Sequence, residues 1–373
     1  MTQQSVSIPL PKGTEPSPHG GIAETPELVD AIASQLVNTC LHVRSEDVVV
    51  IETVPHMIPL ATRIGIACYK READTEVSLH TDDGFFGALE SRNVEQLSRP
   101  SKSALALAEA MTVNVSLVTL ENPERLRNIQ PEKMAAIQMS RIPIEDIKLN
   151  RKVKTAYMGL SDLTAKRAET YGLNLASWRR AVEAASAEDY SELRRFGAKL
   201  RPLLKNQADV HIQAPGGTDL KFKLAGRWPS LNDGVIDEED IQNGAYSIVI
   251  PAGDLSVAMS EDSAEGLFIS NVRQPYLGRW VEGIEWRFKN GRITEFKAKN
   301  NLSALKSEYE ASKGQKDRIG VLYLGLNTKA VCGQLFNLNH IASGAISIGI
   351  GNNKKLGGVN ESEFDFLATV SGG

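Results

Sequence analysis

Apolar positions recur with two different periods along this chain. Thr25-Pro26-Glu27 is typical of a helix start, and apolar residues follow it at helical spacing. A second helical pattern runs from about Met57 to Lys70, and a third begins at Ser103. Each of the three predicted helices is followed by a run typical of a strand: VVVIETV, TEVSLHT and TVNVSLVTL. Strands that alternate with helices at these intervals predict a parallel sheet wrapped by helices.

The pattern turns mainly helical after Ala156 and changes to a period of two at residue 208. Ser161-Asp162 is predicted to cap one helix, and Asn174 is predicted to cap the next. From ADVHIQAPGGTDLKFKLAGR onward, alternating residues and glycine turns predict hairpins and short strands. We therefore predict an α/β plus α+β chain with a flexible tail (1–24), an α/β domain (25–150), a helical connection (151–207) and a β-rich domain (208–373).

Composition and charge narrow the classes of function. The chain has 373 residues, 42% of them hydrophobic, and a formal net charge of −4, which gives no reason to expect nucleic acid or an anionic membrane as a partner. No apolar run is long enough to span a bilayer, and the N-terminal residues lack the pattern of a signal peptide. Cys40, Cys68 and Cys332 have neither metal nor redox spacing, so we predict reduced packing residues in a cytoplasmic protein.

The stretch GAISIGIGNNKKLGGVNESEFD, residues 344–365, combines an apolar strand, glycine and asparagine turns, and two carboxylates. Glu363 and Asp365 are two residues apart, so both point to the same side of an extended segment. Two carboxylates on one face repel each other unless a proton or a cation lies between them. This stretch is therefore the first candidate for chemistry.

Other polar and aromatic positions allow two interpretations each. His56 and His80 fall at predicted strands, where open sheets bind ligands, but they also fit ordinary loop or strand histidines. The segment EDSAEG, with Glu261 and Glu265, is either a solvated acidic turn or an element beside a cleft. Trp286 in WVEGIEWRF belongs either to the core or to the wall of a pocket. His80, Glu265 and Trp286 are the predicted substrate contacts.

Four segments then resemble a known family in order and at suitable intervals. They are GGTDLKFKLAGR, IPAGDLSVAMSEDSAEG, GLNTKA and GAISIGIGNN with the glycines and asparagine that follow. Together they are similar to the C-terminal domain of the aminopeptidase T and aminopeptidase S metallopeptidases. The resemblance extends from about Lys152 to the end, whereas the first domain matches only in its α/β pattern. The resemblance implies a fold that 2,5-dihydroxypyridine 5,6-dioxygenase, a non-haem iron enzyme, also has.

The resemblance implies a site whose ligands are only partly present here. The family's ligand positions correspond to Asp254, Val321, His340, Ser347, Glu363 and Asp365. Of these, Asp254, Glu363 and Asp365 are the predicted metal ligands, and His340 and Ser347 are the predicted catalytic residues. Three carboxylates and an imidazole would suit zinc, manganese or iron.

Two hypotheses of function follow from this partial match. The first is a metal-dependent enzyme that either hydrolyses a peptide or amide bond or opens a small aromatic ring. The alternative is a pseudoenzyme without a cofactor, which binds a peptide or a small-molecule intermediate for a partner enzyme. The resemblance implies a homodimer under both hypotheses.

Overall fold

The computed structural model describes residues 26–206, 208–214 and 216–372. The predicted tail over 1–24 and the predicted helix start at Thr25 lie outside these residues. The helices are α1 (Pro26–Gln35), α2 (Ile58–Tyr69), α3 (Asp82–Ser91), α4 (Val94–Ser98), α5 (Lys102–Ala110), α6 (Pro131–Asn150), α7 (Ala165–Thr170), α8 (Leu175–Ser186), α9 (Tyr190–Lys205), α10 (Glu238–Gln242) and α11 (Leu302–Ala311).

The strands form separate sheets in two compact units. They are β1 (Val48–Thr53), β2 (Asp74–Leu79), β3 (Val113–Ser116), β4 (Lys154–Met158), β5 (Asp209–Ala214), β6 (Thr218–Lys223), β7 (Ser230–Asn232), β8 (Ser247–Ile250), β9 (Asp254–Ala258), β10 (Glu265–Ile269), β11 (Gln274–Tyr276), β12 (Arg279–Val281), β13 (Glu285–Lys289), β14 (Arg292–Lys297), β15 (Ile319–Gly325), β16 (Ala345–Gly351) and β17 (Asp365–Ser371).

The first unit takes its described residues from the chain up to Arg125, from Ser140–Ser191 and from Asn232–Ala252. Its strands form a parallel sheet in the order β2-β1-β3-β4-β8. The apolar strand β1 lies inside this sheet and is largely buried, whereas β2 is an edge strand and is mostly exposed. The predicted parallel α/β domain is therefore confirmed, and β8 from residues late in the chain completes its sheet.

The predicted helix caps in this unit are confirmed in one case and wrong in the other. The Asn174 side chain caps α8 by accepting from the Ser177 amide. Helix α7, however, is capped by Thr164 rather than by Ser161-Asp162. The Ser161 hydroxyl donates to the Met158 carbonyl and the Asp162 carboxylate accepts from Thr119, so both side chains are engaged before the helix begins.

The second unit takes its described residues from Leu126–Met139, Glu192–Leu231 and Gly253–Gly373. It contains two five-stranded sheets with antiparallel pairings, ordered β14-β13-β10-β6-β5 and β17-β16-β15-β9-β7, and the small hairpin β11-β12. The Trp286 ring is fully buried in its core, stacked on Phe268 at 5.9 Å and in edge contact with Phe366 of β17. The predicted β-rich C-terminal architecture is confirmed.

The described residues contain neither a disulfide nor a helix long and apolar enough to cross a membrane. Cys40 and Cys68 are buried free thiols, and Cys332 is half-buried. Burial raises the pKa of Cys40 to about 12 and that of Cys68 to about 11, as expected for thiols that serve as packing residues.

A buried ion pair fixes the loop after β16, which comprises residues 352–360. The Arg227 guanidinium makes two hydrogen bonds to the Glu261 carboxylate, at 2.7 and 3.0 Å. The same carboxylate accepts from the Asn353 side chain at 2.9 Å and from the Val359 amide at 3.0 Å. Glu261 therefore ties this loop to the turn after β9, and it is not part of a solvated acidic turn.

Glu261→Ala is expected to destabilise the protein by about 3 kcal/mol, because it removes the buried carboxylate that pairs with the half-buried Arg227 guanidinium. Glu310→Ala is the control, since Glu310 and its ion-pair partner Lys306 are both exposed; its cost should stay below about 1 kcal/mol. Urea unfolding of both variants measures the difference. Equal costs would contradict the assigned role of Glu261.

The stabilisation from Glu261 is also expected to depend on pH. Burial alone would raise the pKa of Glu261, but hydrogen bonds from Arg227, the Val359 amide and Asn353 outweigh burial and lower it. A lowered folded-state pKa gives stability that is complete above the unfolded pKa and is lost as pH falls through the folded pKa. The difference in unfolding free energy between wild type and Glu261→Gln should therefore be largest above about pH 5 and shrink below about pH 4. A difference constant from pH 7 to 3 would contradict this assignment.

Candidate functional site

The register of four antiparallel strands places four of the six ligand positions that the resemblance implies, Asp254, Val321, Ser347 and Asp365, on one face of a sheet. Ser256 of β9 lies opposite Tyr323 of β15, Tyr323 opposite Ser347 of β16, and Ser347 opposite Thr369 of β17. Opposite residues in an antiparallel pair share a face, and so do residues two apart in one strand. The same face therefore carries Asp254, Val321 and Asp365, and we call it the polar face.

The two aspartates lie at opposite ends of the polar face. Asp254 is paired with Gly325 at the last position of β15, whereas Asp365 is paired with Gly351, level with the beginning of β15. Measured along the strands, these levels are roughly 20 Å apart at a rise of about 3.3 Å per residue. Side chains between them would have to bridge this distance if the two carboxylates were to belong to one metal site.

One end of the polar face holds an aspartate and a histidine. His340 lies in the short 3₁₀ segment Phe336–Ile341, and its Nε2 atom is 4.0 Å from Oδ2 of the buried Asp254. The Tyr323 ring contacts the imidazole edge-on, with ring centres 5.2 Å apart. Burial lowers the pKa of His340, although the Asp254 carboxylate opposes this shift. The imidazole is therefore mainly neutral at pH 7 and can accept a proton or a hydrogen bond.

The other end is centred on Asp365, which is exposed to solvent. Partial loss of hydration raises the pKa of its carboxyl, while the Lys355 ammonium opposes the shift. Nearby, the Tyr276 hydroxyl donates to the buried carboxyl of Glu308. Burial raises the pKa of Glu308, and so does the charge of Asp365. This end therefore combines an accessible carboxylate, a buried carboxyl and a phenol.

The middle of the polar face is closed by packing and hydrogen bonds. Val321 is 7% exposed and offers no donor atom for a metal. Ser347 is fully buried, and its hydroxyl is hydrogen bonded to Thr369 Oγ1 at 2.8 Å. The Gln274 amide covers the pair by donating to the same Thr369 oxygen at 3.0 Å. The structure thus gives Ser347 a packing environment, without access for a substrate.

Glu363 is also engaged away from the other candidate ligands. Its Oε2 atom accepts from the Lys313 amide at 2.8 Å, and its own amide donates to the Lys313 carbonyl at 3.1 Å. These two bonds hold the chain before β17 against the segment that follows α11. The carboxylate therefore has a structural partner of its own.

The residues present do not fit a metal ion. Across residues 26–206, 208–214 and 216–372, no group of three or more histidine, cysteine, aspartate and glutamate side chains is arranged to hold one. The structure brings His340 close to Asp254, but it does not bring Asp254, Glu363 and Asp365 together. The donor set that the resemblance implies is interrupted by Val321 and Ser347.

The predicted substrate contacts are found in three different settings. Trp286 belongs to the core described above. Glu265 is exposed and accepts from the Asn290 amide at 2.6 Å, which closes a turn. His80 follows β2 in the first unit, with Nε2 3.8 Å from Oε1 of Glu52, and His56 Nε2 is 2.9 Å from the Ser161 carbonyl oxygen. Neither Trp286 nor Glu265 adds a side chain to the polar face.

Residues that sequence reasoning missed contribute more to this face than the predicted contacts do. Tyr323 lies between the two ends, and its electrostatic partners include Asp254, Asp365 and Lys355. Its place in the alternation of GVLYLG was the available signal, because residues at positions 321, 323 and 325 share one face. Glu308 had no such signal, since α11 and β11 are far apart in sequence.

Comparisons with known proteins agree with this architecture. A family profile described as thermophilic metalloprotease (M29) matches residues 26–328. Aminopeptidase AmpS of Bacillus subtilis is 27% identical over 110 residues; the match covers 30% of this chain and about a quarter (26%) of that relative.

Two solved structures share the fold at low identity. Wild-type AmpT from Thermus thermophilus has a TM-score of 0.62 and 16% identity, with 92% of each chain covered. The 2,5-dihydroxypyridine dioxygenase from Pseudomonas putida KT2440 has a TM-score of 0.55 and 13% identity, with 93% of this chain and 92% of that chain covered.

Val321→Glu tests whether the remaining groups still form a ligand set. The variant places a carboxylate at an almost buried position without a partner, and we expect a loss of about 3 kcal/mol in unfolding free energy. Val321→Thr, which adds a hydroxyl but no charge, is the control and should cost less. Thermal melts with and without zinc measure both variants. We expect zinc to leave the melting temperature of Val321→Glu unchanged. A rise of that temperature towards the wild-type value in zinc would show that a ligand set persists.

Proposed function

Because the chain belongs to the thermophilic metalloprotease (M29) family, with residues 26–328 matched, we propose that it uses the family scaffold to bind a ligand without a metal ion. The ligand is a small molecule or a peptide. The single observation that carries the proposal is that three of the ligand positions have other partners. Val321 is packed in the interior, and the side chains of Ser347 and Glu363 form local hydrogen bonds.

The chemistry of metal binding supports the proposal. Zinc and similar ions need three or four donor atoms converging at about 2.0–2.3 Å, held by partners behind them. Asp254 and His340 approach each other at one end of the polar face, and Asp365 lies at the other end. One aspartate with one imidazole is too small a donor set for a stable site.

The remaining polar groups suit binding and proton exchange with a ligand. A neutral His340 imidazole accepts a hydrogen bond, and the Tyr323 hydroxyl both donates and accepts. The affinity for a ligand bound in this way would not change when a chelator is added.

A second candidate is a metal-dependent enzyme, either a hydrolase of peptide or amide bonds or a ring-opening dioxygenase. The specific observation in its favour is the 4.0 Å approach of His340 to Asp254, which keeps two donor groups together. Aminopeptidase AmpS and the dioxygenase are relatives with such activities by name. The homodimer, the cytoplasmic location and the partner enzyme stay predictions under both candidates.

Protein purified without chelator is expected to contain no stoichiometric zinc, manganese or iron, and to take up none in calorimetric titration. The physical reason is the incomplete donor set. A panel of dipeptides and 2,5-dihydroxypyridine provides the ligand test by the same calorimetric method. Binding of any probe should be indifferent to EDTA, and Asp365→Ala should change its affinity by less than about tenfold, or about 1.4 kcal/mol.

The same samples distinguish the two candidates. Metal uptake at one ion per chain, together with peptide hydrolysis or ring opening that EDTA abolishes, would overturn the metal-free proposal. Glu265→Ala is a suitable control variant, because Glu265 is exposed and lies away from the polar face.

A further inference from the structure

A group of exposed apolar side chains lies at the β2 edge of the first unit. Helix α2 contributes Ile58, Ile66 and Tyr69, and strand β2 contributes Val77 and Leu79. Each of the five side chains is between 36% and 60% exposed. Single exposed apolar residues are normal, whereas a contiguous group marks an interaction surface. We call these five side chains the edge patch.

The three α2 residues of the edge patch form one strip of the helix. At 3.6 residues per turn, positions 58, 66 and 69 lie within about 80° of one another around the helix axis. The Tyr69 hydroxyl donates to the Thr75 carbonyl at 3.3 Å, so the strip lies on the β2 side of α2. On another side of the helix, Arg63 pairs with Asp30 of α1 at 3.3 Å. The strip is therefore directed towards the edge strand and away from α1.

The two β2 residues of the edge patch lie on the sheet face that α2 covers. A Cβ atom added to Gly65 of α2 would lie 3.9 Å from Cδ1 of Ile51 in β1 and 4.0 Å from Cγ2 of Thr75 in β2. Val77 and Leu79 are two and four residues after Thr75, so their side chains point to the same face. The helix strip and these two side chains therefore form one continuous apolar surface.

The backbone of β2 has a free side next to this surface. The amides of Asp74 and His80 donate to carbonyl oxygens at the two ends of β1, so the alternate residues Thr75, Val77 and Leu79 direct their N–H and C=O groups outward. Among the described strands, none pairs with this outer side. Strand β2 also contains no proline, lysine or bulge, the features that usually protect an exposed edge.

An antiparallel second copy of β2 matches the outward groups of this edge. A two-fold axis at Val77 pairs Val77 with Val77 of the second copy and Thr75 with Leu79 of the second copy. These are the residues whose N–H and C=O groups point outward, so each pair exchanges two backbone hydrogen bonds. On the α2 face, the same pairing sets the apolar side chains of the two copies against each other.

The charges on the opposite face favour this register. With the axis at Val77, Asp74 lies opposite His80 of the second copy, so a carboxylate meets an imidazole that can donate to it. Glu76 then lies opposite the Ser78 hydroxyl. An axis shifted to Glu76 would instead place two glutamates directly opposite each other, and like charges in that position repel. The sequence of β2 is thus complementary to itself around Val77.

We propose that the edge patch and β2 form a self-association surface, on which β2 pairs antiparallel with β2 of a second copy around an axis at Val77. The pairing joins the two five-stranded parallel sheets into one continuous sheet and covers both edge patches. This inference specifies an interface for the predicted homodimer. It goes beyond the proposed ligand-binding function and does not depend on it.

Analytical ultracentrifugation of the full chain over a range of concentrations tests the surface. Wild type should form a dimer, and Val77→Lys should weaken its association at least about a hundredfold, because two like charges meet at the axis. Val118→Lys is the matched control. Val118 is 42% exposed, against 43% for Val77, but it follows β3, which β1 separates from β2. Its dimer affinity should equal that of wild type.

Disulfide formation tests the register and does not rely on a disruptive variant. Cα atoms of a hydrogen-bonded antiparallel pair are about 5.5 Å apart, which is within the range of a disulfide. Mild oxidation should therefore link Val77→Cys into dimers, whereas Glu76→Cys should link more slowly because it faces Ser78 of the second copy.

Three outcomes would overturn the proposal. The first is wild type that stays monomeric at every concentration, which would leave the edge patch to a different protein or to a lipid surface. The second is equal self-association of Val77→Lys and Val118→Lys. The third is faster linkage of Glu76→Cys than of Val77→Cys.

Discussion

The antiparallel register of β9, β15, β16 and β17 is the constraint on which the candidate site depends. Because side chains alternate between the two faces of a strand, this register alone decides which residues can meet. It gathers Ser256, Tyr323, Ser347 and Thr369 into one row and sets Asp254 and Asp365 at opposite ends. A site that spans this face needs donors in the middle, and the middle contains Val321 and a buried hydroxyl pair.

The fold does not require donors at these positions, because other interactions hold it. Trp286 and its aromatic neighbours join the two large sheets of the second unit, and the Arg227–Glu261 pair fixes the loop after β16. None of these contacts involves a predicted metal ligand. Membership of the thermophilic metalloprotease (M29) family and the incomplete ligand set are therefore compatible, since scaffold and chemistry depend on separate residues.

Local sequence signals predicted the elements better than the contacts among them. The sequence predicted β1 from its apolar run, the cap at Asn174 and the strand before residues 352–360, because each of these features depends on neighbours in the chain. The burial of Glu261 could not be predicted, because its partners Arg227 and Asn353 are 34 and 92 residues away in the chain. The contact of Arg127 with the turn between β11 and β12 was not predictable for the same reason, since the two lie 151 residues apart.

The central claim is that the polar face lacks a metal site while keeping the family's strands. Diffraction from crystals soaked in zinc, measured at the zinc absorption edge, tests this claim most directly. Our account predicts no anomalous peak within about 2.5 Å of the side-chain donor atoms of Asp254, His340 or Asp365. A fully occupied peak bound by two or more of these side chains would contradict it.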